Sequence, residues 1–182
     1  MRCAWAEQSD AERVYHDTEW GLPVHDDRLL FEGLALRGVQ AGLAWRIVLT
    51  KREAFRRAFH GFAIARVAAM SDTELSAVLA DRGVIRNRLK LRAIRSNARV
   101  ALRIVEDEGS FSTFLWSFVG GVPRVNTRRD DQPMPTSDEA SDRMSAALRK
   151  KGFRFAGSAI CYAMMQSAGM VDDHASTCFR RR

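Results

Sequence analysis

The chain has 182 residues, of which 46% are hydrophobic and 28% are charged. This length fits one globular domain and excludes a multidomain machine, and the composition excludes an intrinsically disordered chain. Lysine and arginine number 29 against 22 aspartate and glutamate residues, which gives a net charge of +7. So basic a balance favours a polyanionic partner, and nucleic acid is the first candidate.

The chain has no stretch apolar enough for a secretion signal or a membrane span, so we expect a cytoplasmic protein without membrane contact. Its three cysteines are Cys3, Cys161 and Cys178. An odd number of cysteines without a secretion signal favours metal binding or burial over a disulfide framework.

Helical signals begin after the first 25 residues. Asp26 or Asp27 can cap a first helix, which Gly38 would end in a left-handed conformation. A second helix is predicted from about Leu43, with Ile47 among its inward-facing residues.

Residues 71–103 predict two helices joined by a turn. Ser71 and Glu74 match a capping box at the start of the first helix, Gly83 lies in the turn, and the second helix begins near Lys90. Residues 82–103 carry eight basic side chains and no acidic one. Such a run is either a solvated helix face or a surface for phosphates, and this arrangement is what a helix-hairpin-helix needs. The candidate phosphate contacts are Arg82, Arg86, Arg88 and Lys90.

Three further helices are predicted over residues 111–119, about 137–151 and 158–168, the last two closed by Gly152 and Gly169. No sustained alternation of period two occurs, so we expect an all-α fold. Residues 1–182 should form a single domain whose two helical lobes share one core.

Four residues near the chain ends have metal-ligand chemistry. His174 and Cys178 are four positions apart, which places them on one face of a helix. Cys3 and His16 would complete a Cys₂His₂ set suited to tetrahedral zinc, although a helical pair of this spacing often occurs without a metal. Such a zinc site would be structural, because it would tie the two termini together and leave no open position for a catalytic water.

The segments YHDTEWG (15–21) and QAGLAW (40–45) closely resemble the bacterial 3-methyladenine DNA glycosylase I family. The resemblance covers essentially the whole chain in order. It continues through RGVIRNR (82–88), WSFV (116–119), PTS (135–137), KGFRF (151–155), ICY (160–162) and DH (173–174).

This resemblance implies a fold similar to the helix-hairpin-helix glycosylases and one structural zinc. The zinc ligands it implies are Cys3, His16, His174 and Cys178, which leaves Cys161 as a buried, inert thiol.

The implied activity is hydrolysis of the N-glycosidic bond of 3-methyladenine in double-stranded DNA, after the nucleotide is flipped out of the duplex by a monomeric enzyme. An alkylated adenine is cationic and already a good leaving group, so its pocket needs aromatic faces and acceptors more than a strong acid. The resemblance assigns Gly42 and Leu43 to the DNA-facing loop, with Leu43 as an apolar wedge. The base-binding residues that it implies are Tyr15, Trp20, Gln40 and Trp45.

The chain departs from the family's pattern at Arg37, where the family has a glutamate that contacts the methylated base. The change replaces an acceptor with a donor and inverts the charge, so beside a cationic base it should cost several kcal/mol, roughly the penalty of a mispaired buried charge.

Several explanations of Arg37 stay open. Glu12, Glu19 or Glu32 can supply the missing carboxylate, or Arg37 can donate to a carbonyl oxygen of a neutral or oxidised base. Arg37 can also turn outward to a phosphate. Alternatively, the protein is a catalytically weak homologue that still binds damaged DNA. A further alternative is a helical domain whose two ends are joined by zinc and that binds neither DNA nor base.

Overall fold

The computed structural model describes residues 1–126 and 132–182. In these residues the fold is mostly helical, with one very small sheet. The α-helices are α1 (Asp10–Thr18), α2 (Asp27–Gln40), α3 (Trp45–Ala58), α4 (Ile64–Ala69), α5 (Asp72–Ala80), α6 (Arg88–Glu108), α7 (Phe111–Trp116), α8 (Glu139–Lys150) and α9 (Ser158–Ser167). Across the described ranges, none of the helices combines the length and the hydrophobicity needed to cross a bilayer.

The local signals that start helices are confirmed. The Asp26 side chain accepts a hydrogen bond from the backbone N–H of Leu29 at 2.8 Å, at the start of α2. Ser71 and Glu74 form the predicted capping box of α5. In each case a side-chain oxygen satisfies a backbone N–H that has no partner within the helix.

The prediction for Gly38 is wrong, because α2 continues through it to Gln40. A Cβ atom at Gly38 would lie 3.2 Å from the carbonyl oxygen of Phe155, so this glycine permits close packing and does not form a turn. The left-handed glycine is Gly42, with φ of 81°, in the loop that follows α2.

The structure differs from the sequence prediction in further respects. Helix α3 begins at Trp45, two residues later than Leu43, and Ile47 is 38% exposed, whereas Val48 and Phe55 form the buried face. Helices α1 and α4 were not predicted. The all-α expectation also missed a two-residue parallel ladder between β1 (Arg124–Val125) and β2 (Val171–Asp172).

Helix α2 lies at the centre of the main core and packs against α6, α7 and α9. Its side chains Leu30, Phe31, Leu34 and Leu36 are buried. A second, smaller cluster of buried residues lies where the chain ends meet, and it contains Cys3, Tyr15, Trp20, Ala175 and Cys178. Several of the residues implied for the base site and the metal site therefore belong to this smaller cluster, and Trp45 packs against both clusters.

Candidate functional site

Four donor side chains converge where the two chain ends meet. The ligand atoms of Cys3, His16, His174 and Cys178 all lie within 4.8 Å of one another, and all four residues are buried. The Cys178 Sγ atom is 3.4 Å from both His16 Nε2 and His174 Nδ1, and the Cys3 Sγ atom is 3.6 Å from His174 Nδ1. Zinc–sulfur and zinc–nitrogen bond lengths at tetrahedral angles place neighbouring ligands about 3.6 Å apart. The donor set therefore fits a tetrahedral metal site.

Neighbouring groups orient both imidazoles of this cluster. The Nδ1 atom of His16 lies 2.8 Å from a carboxylate oxygen of Asp17, which also accepts a hydrogen bond from Arg2. This contact leaves the other ring nitrogen of His16 facing the cluster. Burial lowers the pKa of His174 to about 4. Gly21 has φ of 80°, and a Cβ atom there would lie 2.7 Å from His174 Nε2, so only glycine fits.

Two aromatic rings form a slot beside the cluster. Tyr15 on α1 and Trp45 at the start of α3 have ring centroids 5.5 Å apart, with an interplanar angle of 57°. The Arg37 guanidinium covers the face of Trp45, with its central carbon 3.6 Å from the ring centroid. Gln40 accepts a hydrogen bond from Arg37 at 2.9 Å. The structure thus brings together Tyr15, Trp45, Gln40 and Arg37.

Arg37 is held by neutral oxygens. It donates to the Tyr15 hydroxyl at 3.3 Å and, from Nε, to the Ser167 hydroxyl at 3.1 Å. Burial lowers the pKa of Arg37, and its interaction with Tyr15 opposes the shift. Within residues 1–126 and 132–182 it forms no ion pair with a carboxylate, so it is a buried cation stabilised by an aromatic face and dipoles.

The three carboxylates considered as replacements have other partners. Glu32 accepts hydrogen bonds from Arg52 at 2.6 Å and Arg56 at 2.9 Å. Glu19 also pairs with Arg52, and Glu12 accepts a hydrogen bond from a serine hydroxyl. None of the three therefore neutralises Arg37 in this structure.

Trp20 lies closer to the metal-ligand cluster than the sequence indicated. Its ring centroid is 4.4 Å from that of His174 and 5.0 Å from that of Trp5. Trp5 in turn contacts Tyr15, with centroids 6.5 Å apart. Trp20 therefore joins the slot to the cluster through aromatic packing.

The basic turn between α5 and α6 faces solvent. Arg82, Arg86 and Arg88 are exposed. The ammonium group of Lys51 on α3 donates to the backbone carbonyls of Arg82 and Gly83, both at 3.1 Å. This contact fixes the turn against α3 and leaves the arginine side chains available to anions.

Lys90 differs from its basic neighbours because its ammonium group is bound within the protein. It donates to the backbone carbonyl of Val39 at 2.9 Å and to that of Ala41. These carbonyls lie at the C-terminal end of α2, where a cation stabilises both the unpaired carbonyls and the helix dipole. Lys90 thereby holds the loop of Gly42 and Leu43 beside the start of α6, and Leu43 is 36% exposed at its tip.

A model of the family described as methyladenine glycosylase matches residues 5–181. The chain belongs to this family. DNA-3-methyladenine glycosylase 1 of Escherichia coli is 45% identical over 177 residues, which cover 97% of this chain and 95% of that protein. The DNA-3-methyladenine glycosylase of Haemophilus influenzae is also 45% identical, over 97% of this chain and 96% of that protein.

Solved structures of family members have the same fold. A crystal structure of a 3-methyladenine DNA glycosylase I matches with a TM-score of 0.96 at 45% identity, over 100% of both chains. A tyrosine-to-phenylalanine mutant of a 3-methyladenine DNA glycosylase I, in complex with 3-methyladenine, matches with a TM-score of 0.95 at 32% identity, over 100% of this chain and 97% of that chain.

Sequence reasoning missed three supporting residues of the site. Ser167, the last residue of α9, accepts a hydrogen bond from Arg37. Lys51 binds the basic turn, and Asp17 orients His16. The signal for Asp17 was its position next to a candidate ligand, since ligating histidines usually bond a carboxylate through the second nitrogen. Ser167 had no such signal, because its contact with α2 is made between residues 130 positions apart.

We expect Lys90→Met to lower the free energy of unfolding by about 1 to 2 kcal/mol, because two carbonyls lose a charged donor. The matched control is Arg88→Met, two residues earlier on an exposed position, which should change stability by less than about 0.5 kcal/mol. Urea denaturation of both variants measures the difference, and equal effects would contradict the capping role of Lys90.

Proposed function

We propose that the protein is a DNA glycosylase that hydrolyses the N-glycosidic bond of 3-methyladenine in double-stranded DNA. The observation that carries this proposal is the Tyr15–Trp45 slot in a chain that belongs to the family over almost its full length. All groups of the slot and of the basic turn come from one chain, so we propose a monomer. We also propose a cytoplasmic location, which its DNA substrate supports.

The proposed reaction needs no strong acid catalyst, because the leaving base is already cationic. The bond between C1′ and the base nitrogen breaks with its electron pair going to the base, which neutralises the positive charge of the methylated ring. Water adds at C1′ and releases one proton to the solvent. A pocket for this base needs a π face and hydrogen-bond acceptors. Trp45 supplies the face, and the oxygens of Gln40, Ser167 and Tyr15 are the acceptors that now hold Arg37.

The proposed DNA surface combines the loop of Gly42 and Leu43 with the basic turn. Leu43 would enter the space left by the flipped nucleotide, since an apolar wedge offsets part of the unstacking energy. Arg82, Arg86 and Arg88 would contact phosphates as part of a helix-hairpin-helix and would read no sequence. We assign Lys90 to positioning the loop, and we assign Trp20 to supporting the slot from the side of the metal-ligand cluster.

We also propose that Cys3, His16, His174 and Cys178 bind one structural zinc ion. The spacing of the two sulfur and two nitrogen donors supports this, as does their burial without a disulfide. Bound zinc would join the start and the end of the chain and would hold both thiols as thiolates.

Elemental analysis should find about one zinc per chain in the protein as purified. Cys178→Ala should lose the metal and lower the melting temperature, because binding energy of a structural zinc is folding energy. Cys161→Ala is the matched control, since Cys161 is a buried thiol outside the cluster and the variant should keep its zinc. A metal-free protein of unchanged stability would exclude the site.

Release of 3-methyladenine from methylated duplex DNA tests the proposed activity. We expect Arg37→Glu to raise the release rate by about tenfold or more, because the change removes a buried cation and adds an acceptor for a cationic base. Arg37→Met is the control that removes the cation without adding the acceptor. If neither the parent nor Arg37→Glu releases the base, the proposed activity is wrong.

The proposed DNA surface predicts a change in salt dependence. Arg86→Glu and Arg88→Glu should each weaken binding to duplex DNA and reduce the slope of log K against log salt by roughly 1. Arg143→Glu is the control, because it reverses a charge on α8 outside the basic turn. Fluorescence anisotropy across a salt series measures the affinity and its salt dependence. Unchanged slopes would show that the DNA contacts another surface of the protein.

A further inference from the structure

The Arg37 guanidinium occupies the position that the proposed function gives to the base. It lies 3.6 Å from the Trp45 ring centroid and bonds Tyr15, Gln40 and Ser167. A guanidinium is a planar, delocalised cation with N–H donors around its edge. A methylated adenine in DNA is also a planar, delocalised cation. The side chain therefore uses the same contacts that such a base would use.

The Arg37 guanidinium and a base cannot both lie on the Trp45 face at the same time. A ring stacked on an aromatic face lies about 3.5 Å from that face. The central carbon of the Arg37 guanidinium already lies 3.6 Å from the Trp45 ring centroid, which is the distance a stacked base would need. A base can stack on Trp45 only after Arg37 has moved away.

A neighbouring cavity offers the space for this movement. It has a volume of about 290 Å³, and its lining includes Tyr15, Ser167 and Gly33. Tyr15 and Ser167 are current hydrogen-bond partners of Arg37, so the cavity and the Arg37 side chain share two neighbouring residues. Gly33 lies one turn before Arg37 on α2, and helical side chains lean toward the N-terminal end of their helix. The cavity therefore lies on the side toward which the Arg37 side chain naturally turns.

Gly33 itself keeps this space open. A Cβ atom at Gly33 would meet nothing within 4 Å, and its backbone is ordinary α-helix. Glycine in a helix interior destabilises the helix relative to alanine by roughly 0.5 to 1 kcal/mol. Neither close packing nor backbone conformation requires glycine here, which contrasts with Gly38.

The lining of the cavity includes one carboxylate. Glu19 and Arg52 both line it, and they form an ion pair at 2.6 Å. Arg52 also pairs with buried Glu32 at 2.6 Å, and Arg56 pairs with the same Glu32 carboxylate at 2.9 Å. An Arg37 guanidinium in the cavity would therefore share Glu19 with Arg52.

We propose that Arg37 is an intramolecular competitor of the base: its guanidinium covers Trp45 while the pocket is empty and moves into the cavity beside Gly33 when a base enters. This inference rests on the proposed function, since it takes the Trp45 face as the base site. It assigns the cavity beside Gly33 as a second position for an arginine side chain.

A double-mutant cycle tests the proposal, with free 3-methyladenine as the probe and calorimetry as the measurement. Arg37→Ala should lower the dissociation constant by about tenfold or more. Gly33→Leu should fill the cavity and raise the dissociation constant by about tenfold when Arg37 is present, but by less than about twofold in the Arg37→Ala background. Gly33→Ala is the control for helix stiffening, because it fills little of the cavity, and it should bind like the parent.

Equal weakening by Gly33→Leu in both backgrounds would overturn the proposal, and so would Arg37→Ala binding no more tightly than the parent. A crystal structure of the parent with 3-methyladenine is the second measurement, and a guanidinium still on Trp45 or turned to solvent would contradict it. If the parent and all variants bind the base equally while methylated DNA still loses 3-methyladenine, the proposal that Arg37 competes with the base is wrong and the glycosylase function stands. If no form binds or releases the base, both are wrong.

Discussion

The convergence of the two chain ends on one buried cluster of cysteine and histidine donors is the constraint on which the site depends. Helix α1 has only nine residues, and a helix of this length has little stability of its own in water. His16 ties α1 to His174 and Cys178 at the other end of the chain. Tyr15 directly precedes His16, so the same contacts fix one wall of the aromatic slot. The cluster thus positions one wall of the proposed base site.

Helix α2 supplies the second constraint, since three of its residues serve the site in different ways. Gly33 opens a cavity, Arg37 reaches the slot, and Gln40 accepts from Arg37 at the end of the helix. The C-terminal carbonyls of α2 are bound by Lys90, which lies in the first turn of α6. The base slot, the loop with Leu43 and the proposed phosphate surface are therefore mechanically connected through the end of one helix.

Features set by nearest neighbours could be predicted from the sequence. The capping box at Ser71, the Asp26 cap at the start of α2 and the closing glycines after α8 and α9 depend on contacts within a few residues, and they are confirmed. Gly38 and Ile47 were misread because tertiary packing decided their environment. The ladder between β1 and β2 involves two residues per strand, which is too short for any alternation to appear. The direction of the Arg37 side chain depends on Ser167 and Trp45, and no local pattern contains that information.

The charge of Arg37 and the space it occupies have separable consequences. Loss of the family's carboxylate removes an acceptor, which matters most for a cationic base and much less for a neutral one. Occupation of the Trp45 face excludes every base equally, whatever its charge. The cost of displacing the guanidinium falls when it gains a carboxylate neighbour on leaving, and in the cavity Arg37 would share Glu19 with Arg52. The features that hold the guanidinium, an indole face and neutral oxygens, are also those that a methylated base requires, so the proposed base site would favour planar cations.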